Sequence, residues 1–194
     1  MGTLTTRANV KQFLGILSDV TAYDNVLDTL VTVVDDVVEN YCHRRFADTT
    51  YTEYYDGQSN QRRLCLRNYP IISVTSIHDD PNRDYDSGTL IAADDYTFET
   101  GADSNGIVSL HGASLGRGIR NVKAVYRAGY ATNSIPTPLT QAANMIVASI
   151  YNRRKALGTS GGSLASLSSS LATQFVPDEA KFILARYQKW AESA

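Results

Sequence analysis

The sequence predicts an α+β fold: a helical body with a short N-terminal helix and two long helices, an inserted antiparallel β unit, and a linker-tethered C-terminal helix. Apolar residues recur at three- and four-residue steps before residue 50 and again after about 137. Between about 50 and 128 they alternate instead. A Gly/Ser-rich stretch at 158–173 precedes the last helical pattern. We therefore expect a body of residues 1–157 with its β insertion at about 50–128, followed by a flexible linker and helix in 158–194.

The composition narrows the classes of protein to consider. Hydrophobic residues make up 43% of the 194 positions, enough for a packed core. The formal net charge of −2 argues weakly against a dedicated nucleic-acid binder, which usually carries a basic surplus. Two cysteines do not suggest a disulfide scaffold. Neither a secretory signal nor a run of about 18 apolar residues is visible, so we expect a protein of a reducing, cytosolic compartment, which includes the inside of an infected cell.

Two helices are predicted before residue 50. Residues 5–14 form the short one, which Thr5 or Thr6 can cap. Residues 23–43 form the long one, in which the helical period outweighs the strand preference of its valines. Its apolar residues, which we expect on one face, are Val26, Leu27, Leu30, Val31, Val34, Val37, Val38 and Tyr41. Its acidic residues lie elsewhere on the helix, and they include Asp28, Asp35, Asp36 and Glu39.

Short strands are predicted between 50 and 128, making a small antiparallel sheet or barrel-like unit. They cover about 51–55, 62–66, 71–78, 96–100, 107–111 and 119–127. The fourth and fifth form a hairpin with a loop longer than the tight two-residue type. In the last strand we expect Val122, Ala124 and Tyr126 on one face, and Lys123, Val125 and Arg127 on the other.

The second long helix is predicted over 138–156. Thr137 can cap it, and Pro138 suits its first turn. Its last turn carries Arg153, Arg154 and Lys155, where cations favour the helix dipole, and Gly158 should end it.

The C-terminal segment opens at Pro177 as an amphipathic helix of about sixteen residues. The residues that share its apolar face are Phe182, Ile183, Tyr187 and Trp190. Such a face must be buried, either on the protein's own core or on a partner.

No catalytic, cofactor or metal site is predicted. The spacing of Cys42-His43, Cys65 and His78 fits no metal clip. The acidic stretch 79–86 lacks the glycine and glutamate of a calcium loop, and the glycine-rich stretch 112–118 lacks the lysine of a phosphate loop. No spacing places a nucleophile beside a base, so we expect the protein not to be an enzyme.

The order of several segments is fairly specific. LTTRANVKQFLGI leads to a helix ending in VVENYCHRRF; LRNYPIISVTSI and VYRAGYATNSIP follow, and then the helix from Pro138 to Lys155. In this order and spacing, residues 3–157 resemble the head–tail connector (adaptor) family of tailed bacteriophages. The region 79–118 is longer here than in the compact members of that family.

The resemblance implies a structural virion protein of the phage neck, assembled in the host cytoplasm. Family members form a homo-oligomeric ring, most often of twelve copies, between the portal of the DNA-filled head and the stopper, tail-completion protein or tail. The ring extends the DNA channel without sequence-specific binding, and no membrane takes part. The C-terminal part typically reaches the portal, which would make Phe182, Ile183, Tyr187 and Trp190 a docking set.

Ring contacts between opposed charges are a second hypothesis. Asp35, Asp36 and Glu39 of one copy would face Arg153, Arg154 or Lys155 of the next. The alternative is that both sets are simply solvated, and that the C-terminal helix folds back on its own subunit. Other functions also stay open: a different tail-completion or tail-tube subunit, a small hydrolase, or a small nucleic-acid-binding module. The last would use Arg62, Arg63, Arg67 and the basic cluster at 153–155.

Overall fold

The computed structural model describes residues 3–101, 104–131, 134–159 and 176–188, with side chains up to residue 154 in the third range. The chain divides into a helical unit, Met1–Arg44 with Ser134–Ala194, and a β unit, Arg45–Asn133. The predicted α+β fold, with a β unit inserted between helices, is confirmed.

The helices are α1 (Arg7–Leu14), α2 (Asp24–Cys42), α3 (Thr137–Thr159) and α4 (Asp178–Leu184). The strands are β1 (Thr49–Gly57), β2 (Arg63–Cys65), β3 (Ile71–Asp79), β4 (Tyr96–Phe98), β5 (Ile107–Leu110) and β6 (Gly118–Ala128). Short 3-10 turns at Ser87–Thr89, Ala93–Asp95 and Ala185–Tyr187 complete the described elements.

Helix α3 supplies much of the core of the helical unit. Leu139, Ala142, Ala143, Ile146 and Val147 are fully buried, and α3 packs against α1, α2 and α4. The helix continues to Thr159, so the prediction that Gly158 ends it is wrong. A glycine in a helix interior costs only about 1 kcal/mol relative to alanine, which weakens a helix without stopping it.

Helix α1 is joined to α2 by polar contacts as well as packing. Thr6 caps α1, as one of the two predicted candidates, by accepting a hydrogen bond from the Asn9 N–H. Lys11, which is 6% exposed, lies 2.5 Å from the Asp24 carboxylate and donates to the carbonyl oxygen of Val20 at 2.8 Å. Arg7 pairs with α2 near its start. These contacts fix the loop between the two helices.

The β unit consists of two three-stranded antiparallel sheets, ordered β1-β6-β3 and β2-β5-β4. The predicted hairpin is present as the β4–β5 pair, with Thr97 opposite Ser109. The two sheets share one apolar core, whose members include Tyr51, Leu64, Val108 and Tyr126. The alternation of each strand decides which side chains enter that core.

A polar network lies inside the first sheet. The Glu53 carboxylate accepts hydrogen bonds from the Tyr126 hydroxyl at 2.7 Å, the Asn68 side-chain amide at 3.0 Å, and the Tyr55 hydroxyl. The two tyrosine oxygens in turn accept from the backbone N–H groups of Asn68 and Arg67, each at 3.1 Å. Burial, together with the nearby Glu53 charge, raises the pKa of Tyr126, so its hydroxyl stays protonated and keeps donating. The network therefore fixes the loop after β2 onto the sheet.

Candidate assembly surfaces

The three predicted acidic contact residues lie on α2 but differ in their surroundings. Asp35 is half-buried and accepts hydrogen bonds from the backbone N–H groups of Thr3 and Leu4, the latter at 3.0 Å. Burial raises the pKa of Asp35 above its usual range, although the two donors oppose that shift. Asp36 is exposed, and Glu39 is half-buried. Of the three, Asp36 is the most available to another copy.

Asp35 anchors the N-terminal segment, and its replacement tests that role. We expect Asp35→Ala to lower the free energy of unfolding by about 1.5–3 kcal/mol, because hydrogen bonds to a charged acceptor are lost beside the buried Leu4. Urea unfolding followed by circular dichroism measures this. Asp36→Ala is the matched control, for which we expect a change within about 0.5 kcal/mol. Equal losses in the two variants would contradict the anchoring role.

The predicted basic residues lie at the other end of α3 from its proline. Arg153 is half-buried and Arg154 is exposed, while the side chain of Lys155 lies outside the described residues. In the described part of the chain, the ion pairs do not include Arg153 or Arg154. Among the described side chains, the structure therefore shows no ion pair of Asp36 with Arg153 or Arg154.

The C-terminal set is divided by the structure. Helix α4 ends at Leu184, so it is shorter than predicted, and Trp190 lies outside the described residues. The residues that α4 buries are Ala180 and Leu184, both 0% exposed, rather than those of the predicted face. Phe182 is 81% exposed, and Ile183 and Tyr187 are half-buried. At about 100° per residue, Phe182 lies opposite the buried pair and is directed away from the unit on which α4 packs.

The acidic loop that was considered as a cation-binding loop is held together by its own hydrogen bonds. Asp80 closes the acidic loop by accepting from the backbone N–H groups of Asn82, Asp84 and Tyr85 at 2.7–2.9 Å. The Tyr85 N–H, above all, holds the pKa of Asp80 below its usual range. Within the ranges that the structure describes, no three His, Cys, Asp or Glu side chains are grouped to hold a metal ion. None of the helices in those ranges is long and apolar enough to span a membrane.

The sequence reasoning missed a division of the apolar residues of α2 into two stripes. Leu27, Val31, Val34, Val38 and Cys42 are buried. The other stripe follows steps of four, three and four residues, and we call it the α2 ridge: Val26, Leu30, Val33 and Val37. Val33 is 42% exposed, and the other three are half-buried. The four-three-four spacing was the available signal, because two such series offset by one residue cannot occupy one line on a helix.

These surfaces define a class of protein. The prominent features of the described residues are an outward-facing aromatic ring, an apolar ridge, and the charges of Asp36, Arg153 and Arg154, which take part in none of the ion pairs among those residues. Such features are typical of a protein that assembles with others. The model of the head completion protein family matches residues 3–190, and the chain belongs to that family. The match confirms the resemblance to head–tail connector proteins that the sequence indicated.

Solved structures of gene transfer agent (GTA) particles contain chains of similar fold. A chain in the neck of an empty GTA particle, computed with C6 symmetry, has 17% identity and a TM-score of 0.61, with 97% of this chain and 91% of that chain covered. A chain of the native GTA virion gives the same identity and coverage and a TM-score of 0.62. A chain in the native GTA neck, computed with C12 symmetry, has 16% identity, a TM-score of 0.56, and 86% and 82% coverage. No curated protein matches the chain at a significant level.

Proposed function

We infer that this chain is a structural protein of a phage-type neck. It forms a homo-oligomeric ring that joins the portal of a DNA-filled head to the tail, or to a stopper or tail-completion protein, and extends the DNA channel. The observation that carries this inference is the family match over residues 3–190. Assembly is then the work of the molecule, its place is the head–tail interface of the virion, and DNA passes through without sequence-specific contacts.

A ring of twelve copies is the proposed assembly. The neck structures that share this fold were computed with C6 and C12 symmetry, and a twelvefold ring satisfies both because a twelvefold axis contains a sixfold one. In such a ring each copy presents two different patches to its neighbours. We propose that Asp36, with Asp35 and Glu39 beside it, faces Arg153, Arg154 and Lys155 of the next copy. Exposed ion pairs contribute about 0–1 kcal/mol each, so the charges set register rather than affinity.

The portal contact is proposed for α4 and the residues that follow it. Phe182, with 81% of its surface exposed, lies on the side of the helix opposite the buried Leu184. Aromatic side chains, phenylalanine included, are enriched at the centres of protein interfaces. Ile183, Tyr187 and Trp190 complete the proposed docking set. Because Ala180 and Leu184 attach the helix to its own unit, the docking surface is presented without release of α4.

Negative-stain imaging of the purified protein tests the proposal, followed by incubation with DNA-filled heads that lack tails. We expect rings of twelve copies and binding of those rings at the portal vertex. A monomer that shifts DNA in a salt-dependent manner would instead indicate a nucleic-acid-binding module, because phosphate contacts weaken steeply with salt. Stacked tubes without attachment to heads would indicate a tail-tube subunit.

A further inference from the structure

We propose that the α2 ridge is the apolar centre of the contact between neighbouring copies, and that a second copy of this chain covers it. The inference rests on the proposed ring and adds the surface that holds it together. The ridge consists of Val26, Leu30, Val33 and Val37, with Tyr23, 44% exposed, before it in the chain. It lies roughly 110° around α2 from the buried stripe, so the contacts that bury that stripe leave Val33 exposed.

The charges of α2 decide what kind of molecule can cover the ridge. Every charged residue between Asp24 and Cys42 is acidic. A nucleic acid or an anionic membrane surface would be repelled by these carboxylates, so the occupant must be a protein. Asp36 is three residues from Val33 and on a neighbouring line of the helix. An occupant that places cations beside an apolar patch would therefore fit, and Arg153 and Arg154 of the same helical unit supply such cations on every copy.

The dimensions agree with a subunit contact. From Val26 to Val37 the ridge is about 17 Å long. A standard protein interface covers about 800 Å² on each partner, which is about 28 Å on a side. The ridge can therefore fill the apolar centre of such an interface, and Thr29, Asp36 and Asn40 would form part of its polar rim. A closed ring requires each copy to bury a patch on both sides, so a long apolar surface on the body suits this contact better than the single contact with a portal.

Two lysine substitutions at adjacent positions distinguish a contribution of the ridge to subunit association from a contribution of the rest of the helix. Val33→Lys places a cation in the ridge, three residues from Asp36. Opposite charges at this spacing stabilise a helix, so the substitution should not weaken α2 itself. Thr32→Lys introduces the same charge at an exposed position between Asp28 and Asp36. We expect Val33→Lys to weaken subunit association by about tenfold or more, measured by sedimentation velocity, since a charge would be buried against apolar surface. Thr32→Lys should assemble as the wild type does, and both variants should keep the wild-type melting temperature.

Crosslinking identifies the occupant. Val33 is replaced by p-benzoylphenylalanine in full-length chains of natural and ¹⁵N isotopic composition, which are mixed, assembled, irradiated and analysed by mass spectrometry. Crosslinks between light and heavy chains are expected. Crosslinks within one chain only, for example onto residues 160–175, or none at all, would overturn the proposal, as would normal assembly of Val33→Lys. Wild-type protein that forms no ring, alone or on heads, would instead contradict the proposed function, whereas rings that survive Val33→Lys contradict the ridge alone.

Discussion

Replacing Gly129 by alanine is expected to lower the free energy of unfolding of the β unit by about 3 kcal/mol or more. Gly129 has a φ of +114°, and a Cβ at this position would lie 2.2 Å from the Ala47 carbonyl oxygen and 2.8 Å from the Asp48 nitrogen. These are backbone atoms on the segment that leads into β1. They cannot move aside, because the backbone N–H of Tyr130 donates a hydrogen bond to the Phe46 carbonyl oxygen at 2.8 Å across the same junction. Urea unfolding, with hydrogen exchange of the β1 amides, measures and locates the loss.

Gly15→Ala is the matched control for that substitution. Gly15 also has a positive φ, of +69°, but a Cβ built there meets nothing within 4 Å. The expected cost is about 1–2 kcal/mol, which is that of the left-handed conformation alone. If Gly129→Ala cost no more than Gly15→Ala, the close approach of the two chain segments in the β unit would be wrong.

Replacing Phe182 by aspartate is expected to abolish attachment of rings to portal-bearing heads while leaving the fold unchanged. The side chain is 81% exposed in the single chain, so its loss removes little packing. Burial of one large apolar side chain in a contact contributes about 1.5–3 kcal/mol, which corresponds to about a 10- to 100-fold change in affinity. Because every copy in a ring would lose that contact, the affinity of the whole ring for the vertex should fall by much more than that of one subunit. Gradient sedimentation of rings with DNA-filled, tail-less heads gives the bound fraction.

Leu184→Asp is the control for general damage to α4. We expect it to lose stability, whereas Phe182→Asp should lose only the attachment to heads. Leu184 is fully buried, so a carboxylate there should cost about 3–5 kcal/mol of stability. We therefore expect a lower melting temperature for Leu184→Asp and an unchanged one for Phe182→Asp. Attachment that persists in Phe182→Asp rings would contradict the proposed portal contact. It would not affect the proposal that the subunits form a ring.

Local physical chemistry made most of the elements predictable. The long helix near residues 23–43 and the helix that begins near Pro138 follow from a sustained helical period, and both are present within a few residues of the predicted bounds. In β6 the alternation predicted the inward residues correctly, since Val122, Ala124 and Tyr126 are all fully buried. Periodicity works here because the burial of one face is a property of each element considered alone.

Burial within α2 and α4 was not predictable in the same way. The apolar residues of α2 cover more of the helix than its own unit can bury, and α1, α3 and α4 decide which stripe is enclosed. In α4 the sequence offers Phe182 as the obvious apolar residue, yet Ala180 and Leu184 fill the contact. A small residue and a leucine one turn apart allow close helix packing, whereas a phenylalanine in that place would have to be accommodated by its neighbours.

By itself, the sequence determined the helical and strand segments, the β insertion and the resemblance to connector proteins, because each depends on local period or on the order of segments. The tertiary structure alone decided that Asp35 binds the backbone of Thr3 and Leu4, that Glu53 joins two tyrosines, and that Phe182 and Val33 stay exposed. These features depend on which residues distant in the chain meet. Three-dimensional packing sets those meetings, and the spacing of residues along one element does not record them.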